Sequence, residues 1–302
     1  MSTFNDSVGA VTLTSGSITG TTGVLTGTSF AMNGTGSASA ILGGSGATLT
    51  KTGTGTTTTL SKTNSYTGAT TVTSGTLNVA SGGSIASSSS TVAAGAAMIV
   101  NGTAGAVTLN GSLSGAGTVG ALELNNGSSL NPGNSPGLLS ASSSKWNAGA
   151  TYNFQMTSAI GTAGTSWDLL DVSTLLDLSA LSSSAKFNLN IETAGPLTGY
   201  NVNTPFAWTF AQSGSLALPS GYAFVSPLAA SSIDITSLFN LTFIDATSFT
   251  GAVTSGFKII AYNDPNGSER IALVPEPSTG SLLLFGFGGL ALLRLARRRS
   301  VG

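Results

Sequence analysis

The sequence predicts an all-β chain whose N-terminal part coils as a β-solenoid, and three observations carry that expectation. Charged residues make up only 7% of the 302 positions, against about 25% in ordinary domains. The 41 glycines are about twice the average share, and Thr, Ser and Asn fill most other polar positions, residues that favour turns and strands over helices. Short alternating apolar segments, each followed by Gly or Asn-Gly, recur at roughly ten-residue intervals. The hydrophobic content of 40% supplies a core for one large domain or two ordinary ones.

Taken in order, Ala10 to Thr14, Gly23 to Thr26 and Ser37 to Leu42 read as short strands. Residues 49–80, LTKTGTGTTTTLSKTNSYTGATTVTSGTLNVA, are the most regular stretch. A Thr-rich strand ends at Leu60, Lys62 to Ser65 turn, Tyr66 to Gly68 restart the chain, and Gly75 separates Val72 from the strand Thr76 to Val79. Ser84 to Ile85, Met98 to Val100, Ala106 to Leu109 and Gly120 to Leu124 follow, spaced by Asn101-Gly102, Asn110-Gly111 and Asn126-Gly127. Asn-Gly is a hairpin signal, but at this spacing it also fits solenoid corners that need positive φ. A meander or sandwich is the alternative reading. Stacked coils bury a face that no single short strand can bury. They also account for the missing charge, because like charges in register would sit about 4.8 Å apart. Ladders of Asn and Thr are expected instead.

Residues 49–80 resemble the autotransporter-associated β-strand repeat, through Gly55, Leu60, Asn64, Tyr66, Gly68, Thr70, Val72, Gly75, Thr76, Leu77 and Val79. The resemblance implies a right-handed parallel β-helix on a secreted or surface-exposed protein. Asn131 to Gly137 form a turn-rich block similar to the PGNSPG motif that closes the repeat region in such families. Residues 1–139 are therefore assigned to the solenoid.

Downstream the chain is richer in aromatics, from Trp146, Tyr152 and Phe154 to Trp208, Phe239 and Phe257, so residues 140–273 are expected to form a second packed β unit that caps the stack. It ends in a strand pair, Phe257 to Tyr262 and Arg270 to Val274, joined by the turn Asn263 to Gly267.

The last stretch, VPEPSTGSLLLFGFGGLALLRLARRRSVG, places Arg294, Arg297, Arg298 and Arg299 behind an apolar run. Residues 280–296 just reach the length of a spanning helix if Arg294 snorkels. The basic end would then face the cytoplasm, with the body outside. Two prolines flank Glu276 and are expected to keep that segment extended and accessible. Val274, Pro275, Glu276, Pro277 and Ser278, the short apolar helix and the basic end at 297–299 resemble the bacterial PEP-CTERM sorting signal, residues 274–302. That resemblance implies export, transient anchoring in the inner membrane and processing by exosortase, a membrane-embedded cysteine transpeptidase. Such sorting uses a leader peptide, and MSTFNDSVGAVTLTSGS has neither a basic nor an apolar leader region, so the true start is expected upstream of Met1 or the chain is a fragment.

Composition also excludes chemistries. With no Cys and no His, thiol nucleophiles, His bases and Cys/His zinc sites are impossible. With four of the 10 basic residues in the tail, against 11 acidic ones, the body has no basic stripe for nucleic acid. Asp168 and Asp171 are the nearest approach to a glycosidase carboxylate pair, but residues three apart on a strand face opposite ways; the block resembles a structural segment in which a turn Asp precedes a buried strand. Lys145, Lys186 and Lys258 are too scattered to serve a lyase. The turn at Asp264 to Glu269 lacks calcium-loop spacing and reads as a plain hairpin. Gly111 to Gly117 as a phosphate loop carries no weight in so glycine-rich a chain. The expectation is a non-enzymatic structural or adhesin-like surface or matrix protein, without cofactor or metal, contacting extracellular polysaccharide or the cell envelope. The runner-up is a carbohydrate-binding or polysaccharide-degrading module, which would expose Trp146, Trp167 or Trp208 beside acids where the structural reading buries them.

Overall fold

A computed structural model describes residues 3–134, 136–201, 204, 206–224, 232–244, 249, 256–264 and 266–276. Their strands stack into parallel ladders around one apolar core, a solenoid-like architecture. One coil runs through Val24–Thr26, Ser29–Met32 and Gly36–Ala38, and the next through Ile41–Gly43, Thr48–Lys51 and Thr57–Leu60. Each strand pairs in parallel with its counterpart one coil away. Repetition of this step builds a three-stranded, a 15-stranded and a 10-stranded sheet. The meander and sandwich alternatives both require antiparallel neighbours, which the coils do not have.

Period-two alternation sets which side chains enter the core. In Thr76–Val79, Leu77 and Val79 are buried while Thr76 and Asn78 face outward. Because coils stack in register, the inward positions form continuous columns. One runs Leu77, Met98, Leu113, Leu130, Tyr152, Leu189 and Leu241.

The motif at residues 64–68 ties three coils together. Asn64 is buried; its Oδ1 accepts from the Leu42 amide at 2.9 Å, and its Nδ2 donates to the carbonyls of Lys62 at 2.9 Å and Ser84 at 3.1 Å. The Tyr66 hydroxyl reaches Thr70 Oγ1 at 2.8 Å, which meets Ser88 Oγ at 2.8 Å. Ser88 Oγ in turn donates to the Gly68 carbonyl at 2.7 Å. Burial pushes the Tyr66 phenol up to about 12, against these hydrogen bonds.

Asn110-Gly111 and Asn126-Gly127 lie at corners between parallel strands, so they do not close hairpins. Positive φ is needed at Gly127 (+80°) but not at Gly111. Gly111 is required by stacking instead: a Cβ there would lie 2.3 Å from the carbonyl oxygens of Ala93 and Ala96 in the coil below. Lys51 is a further corner element: alternation sets it on the same inward face as Leu49, a place its charge alone would argue against. It is fully buried, its Nζ donating to Thr56 Oγ1 at 2.6 Å, Gly34 O at 3.3 Å and Thr52 O. Burial lowers its pKa below the usual lysine range.

The ladders pass through residues 139 and 140 without a break, since Leu138–Trp146 pairs in parallel with Thr118–Leu124 on one side and Leu169–Asp177 on the other. Coil length is what changes. Leu49 pairs with Thr70, 21 positions on, whereas Leu170 pairs with Ala211, 41 positions on. The longer coils enclose the large aromatics: Trp146 stacks on Phe187 with centroids 4.4 Å apart, and Tyr152 meets Phe210 edge-on at 5.7 Å. At the far end pairing turns antiparallel, Trp208–Ala217 against Glu269–Pro275, then Phe257–Asn263, then Ser232–Asp234. The expected terminal strand pair is present in this sheet. Among the described residues no helix is long and apolar enough to cross a membrane; the expected spanning helix at 280–296 lies outside them.

Replacing Asn64 with Ala strands the buried Leu42 amide and should cost roughly 2–3 kcal/mol, read as a lower urea midpoint at unchanged slope. Asn64→Asp should also destabilise, because its second oxygen would face the Lys62 and Ser84 carbonyls.

Candidate functional site

The strand Glu269–Pro275 is central in the terminal sheet, with Trp208–Ala217 on one edge and Phe257–Asn263 on the other. Alternation buries Ile271 and Leu273, and Pro275 is buried as well. The two flanking strands do not cover it equally. Pairing with Trp208–Ala217 ends at Leu273, opposite Trp208, whereas pairing with Phe257–Asn263 continues through Val274 opposite Lys258 to Pro275 opposite Phe257. Phe257 is anchored in an aromatic group, 4.9 Å from Phe243 and 5.1 Å from Phe249 by ring centroids.

Glu276 follows directly. Its amide donates to the Gly256 carbonyl, and its Oε1 lies 3.0 Å from Lys258 Nζ. Lys258 also faces Asp234, at 3.6 Å. The hydrogen bond and charge of Glu276, then the charge of Asp234, hold the Lys258 ammonium above its usual range. The first three residues of the expected motif are thus extended, as the prolines require, but not free: Pro275 is covered and Glu276 is tied down. Pro277, Ser278, Arg294, Arg297, Arg298 and Arg299 lie outside the described residues.

The carboxylates considered for catalysis are separated by the pleat. Asp168 is buried just ahead of Leu169–Asp177, and its two oxygens accept the amides of Gly137 at 2.8 Å and Gln155 at 2.9 Å. It thereby clamps the turn-rich 131–137 block to the long coils, the structural part that its resemblance implies. Asp171 faces outward and accepts from Gln212 Nε2 at 3.0 Å. Trp146, Trp167 and Trp208 are all buried, and each indole N–H has an acceptor: Ser144 Oγ, Thr209 O and Ala159 O.

The outer surface carries the expected ladders. Asn147 donates to Asn125 at 2.9 Å and Asn125 to Asn110 at 3.0 Å; Asn190 donates to Asn153 at 2.8 Å and Asn153 to Asn131 at 2.7 Å. Thr50, Thr71, Thr91 and Thr108 stand in register on four successive coils. Where that column becomes charged, it alternates sign through Glu123, Lys145 and Asp177. Lys145 lies 3.1 Å from Glu123 and holds its carboxyl below the usual range. An open groove of about 320 Å³ runs along these three residues over Ala121 and Ser143, walled by the exposed Leu175. Among the described residues no group of three or more acidic side chains is placed to hold a metal.

Residues 273–299 match the family model described as the PEP-CTERM protein-sorting motif, which marks the chain as one sorted by an exosortase system and so exported to the envelope. The match spans the terminal strand end and the tail and leaves the coils unaddressed. No curated protein matches the chain.

Burial raises Asp168 from its ordinary 3.8 to about 7, against the two amide hydrogen bonds. A carboxyl raised on folding stabilises the fold as pH falls through the raised value. Urea stability should therefore increase by roughly 2–3 kcal/mol between pH 8 and pH 5. Asp168→Asn should flatten this dependence while lowering stability, since its amide would face the Gln155 N–H.

Proposed function

We propose that the protein is a non-enzymatic structural or adhesin-like component of the cell surface or extracellular matrix, delivered by its C-terminal sorting signal. The observation that carries the reading is where the chemistry-bearing side chains go. The three tryptophans and Asp168 are spent inside the core, and the outward columns are mostly neutral Asn, Thr and Ser. A surface of this kind offers many weak, repeated hydrogen-bonding contacts to a polymer such as extracellular polysaccharide, and affinity would come from many coils engaging together. The carbohydrate-binding or -degrading alternative wants Trp146, Trp167 or Trp208 exposed beside acids, and all three are buried.

Within this reading, residues 49–80 are one copy of an autotransporter-associated repeat in a right-handed coil. Support comes from the motif positions themselves: Leu60, Tyr66, Val72, Leu77 and Val79 all point inward, and Asn64 ties neighbouring coils. The right hand agrees with the rule for parallel crossovers. Residues 140–273 act as the cap, their antiparallel end closing what would be an open parallel edge. Residues 280–296 form the transient inner-membrane anchor, with Arg294 and Arg297 to Arg299 at the cytoplasmic face, and an exosortase-type enzyme processes the chain at Val274 to Ser278.

Fractionation of the native host with intact-mass measurement tests the reading. The expected result is a species from the medium or outer surface that has lost the segment beyond about Glu276 and cosediments with extracellular polysaccharide. Recovery only of full-length chain in the inner membrane would overturn it.

A further inference from the structure

We propose that the folded body stores the start of its own sorting motif, with Lys258 as the latch, so that processing waits on local opening of the strand end. The inference rests on the sorting reading above. It follows from the uneven pairing of Glu269–Pro275. Up to Leu273 the strand is held on both edges; Val274 and Pro275 are held on one, by Lys258 and Phe257. The segment from Val274 to Glu276 is therefore a natural peeling unit.

Three interactions keep it closed. Pro275 is buried opposite Phe257, the Glu276 amide is used by Gly256, and the Glu276 carboxylate is paired with Lys258 at 3.0 Å. Proline supplies no amide of its own, so the Glu276 N–H is the donor that fixes the end of the register. An enzyme that binds a peptide as an added strand needs the edge groups free and the side chains clear. Here one edge faces Phe257 and Lys258, and the motif's acid is already neutralised. The closure is also weak enough to open, because a half-exposed ion pair contributes little and strand ends open locally at small cost. Asp234, 3.6 Å from Lys258 on the opposite side from Glu276 in the ion-pair chain, competes for the same ammonium and limits the strength of the latch.

The test combines amide exchange at Glu276, read by NMR on the full chain, with the rate of processing in the host, read by pulse-labelling and intact mass. In the unaltered protein the Glu276 amide should be protected. Lys258→Glu, which sets a third acid beside Asp234 and Glu276, should speed both exchange and processing by roughly fivefold at an unchanged melting temperature, and Lys258→Arg should restore both. A Glu276 amide that exchanges at the free-chain rate in the unaltered protein overturns the latch. So does faster exchange in Lys258→Glu with no change in processing rate in a host that processes the unaltered chain. Protection that is lost in Lys258→Glu supports the latch even in a host that processes neither chain, an outcome that would overturn the sorting reading instead.

Discussion

In-register parallel stacking is the constraint from which the rest of this structure follows. Along the parallel ladders a side chain has a counterpart about 4.8 Å above and below it, so a residue must tolerate its own kind as a neighbour. Inside, that rule yields unbroken apolar columns such as Leu77, Met98, Leu113 and Leu130. Outside, it yields amide ladders in which each Asn donates to the next, as from Asn190 through Asn153 to Asn131. Where charges neighbour one another in a column their sign alternates, as in Glu123, Lys145 and Asp177, and elsewhere a charge has neutral neighbours, as Asp171 has in Ser140 and Gln212. The low charge of the chain is thus a consequence of how its coils repeat.

The same constraint makes the side chains that depart from the repeat stand out. The strongest local departures from the repeat, buried Lys51 and buried Asp168, both serve the backbone: one closes a corner, the other clamps a turn. A buried ionisable group is often a functional pointer, and here the geometry gives each a structural duty.

Much of this was legible in the sequence, because the motif residues encode the coil directly. Asn64, Tyr66 and Gly68 mark a coil-to-coil tie, and the terminal strand pair announces itself by alternation and a turn. The Asn-Gly pairs showed where the corners fall but not why, since Gly111 is demanded by the carbonyls beneath it, a contact made across coils. Lys51 was hidden because its acceptors are backbone carbonyls and a threonine, which carry no sequence signal. The continuity of the ladders beyond residue 139 was masked by lengthening coils: the partner of Leu170 lies 41 positions away, too far for a spacing pattern to be seen. The docking of Pro275 and Glu276 was invisible for a related reason, because it depends on Lys258 and Gly256, which belong to the neighbouring strand of the terminal sheet.

The central place of Glu269–Pro275 also gives the molecule a mechanical character. A pull applied through the chain beyond Glu276 enters the body along this strand. Its antiparallel hydrogen bonds lie across the strand direction, so a load along the strand is taken in shear and shared over the pairing from Pro275 opposite Phe257 to Glu269 opposite Asn263. A sideways pull would instead open the pairs singly, beginning at Glu276. The body would be a firm grip for a tether running in line with the strand and a weak one for a tether that peels.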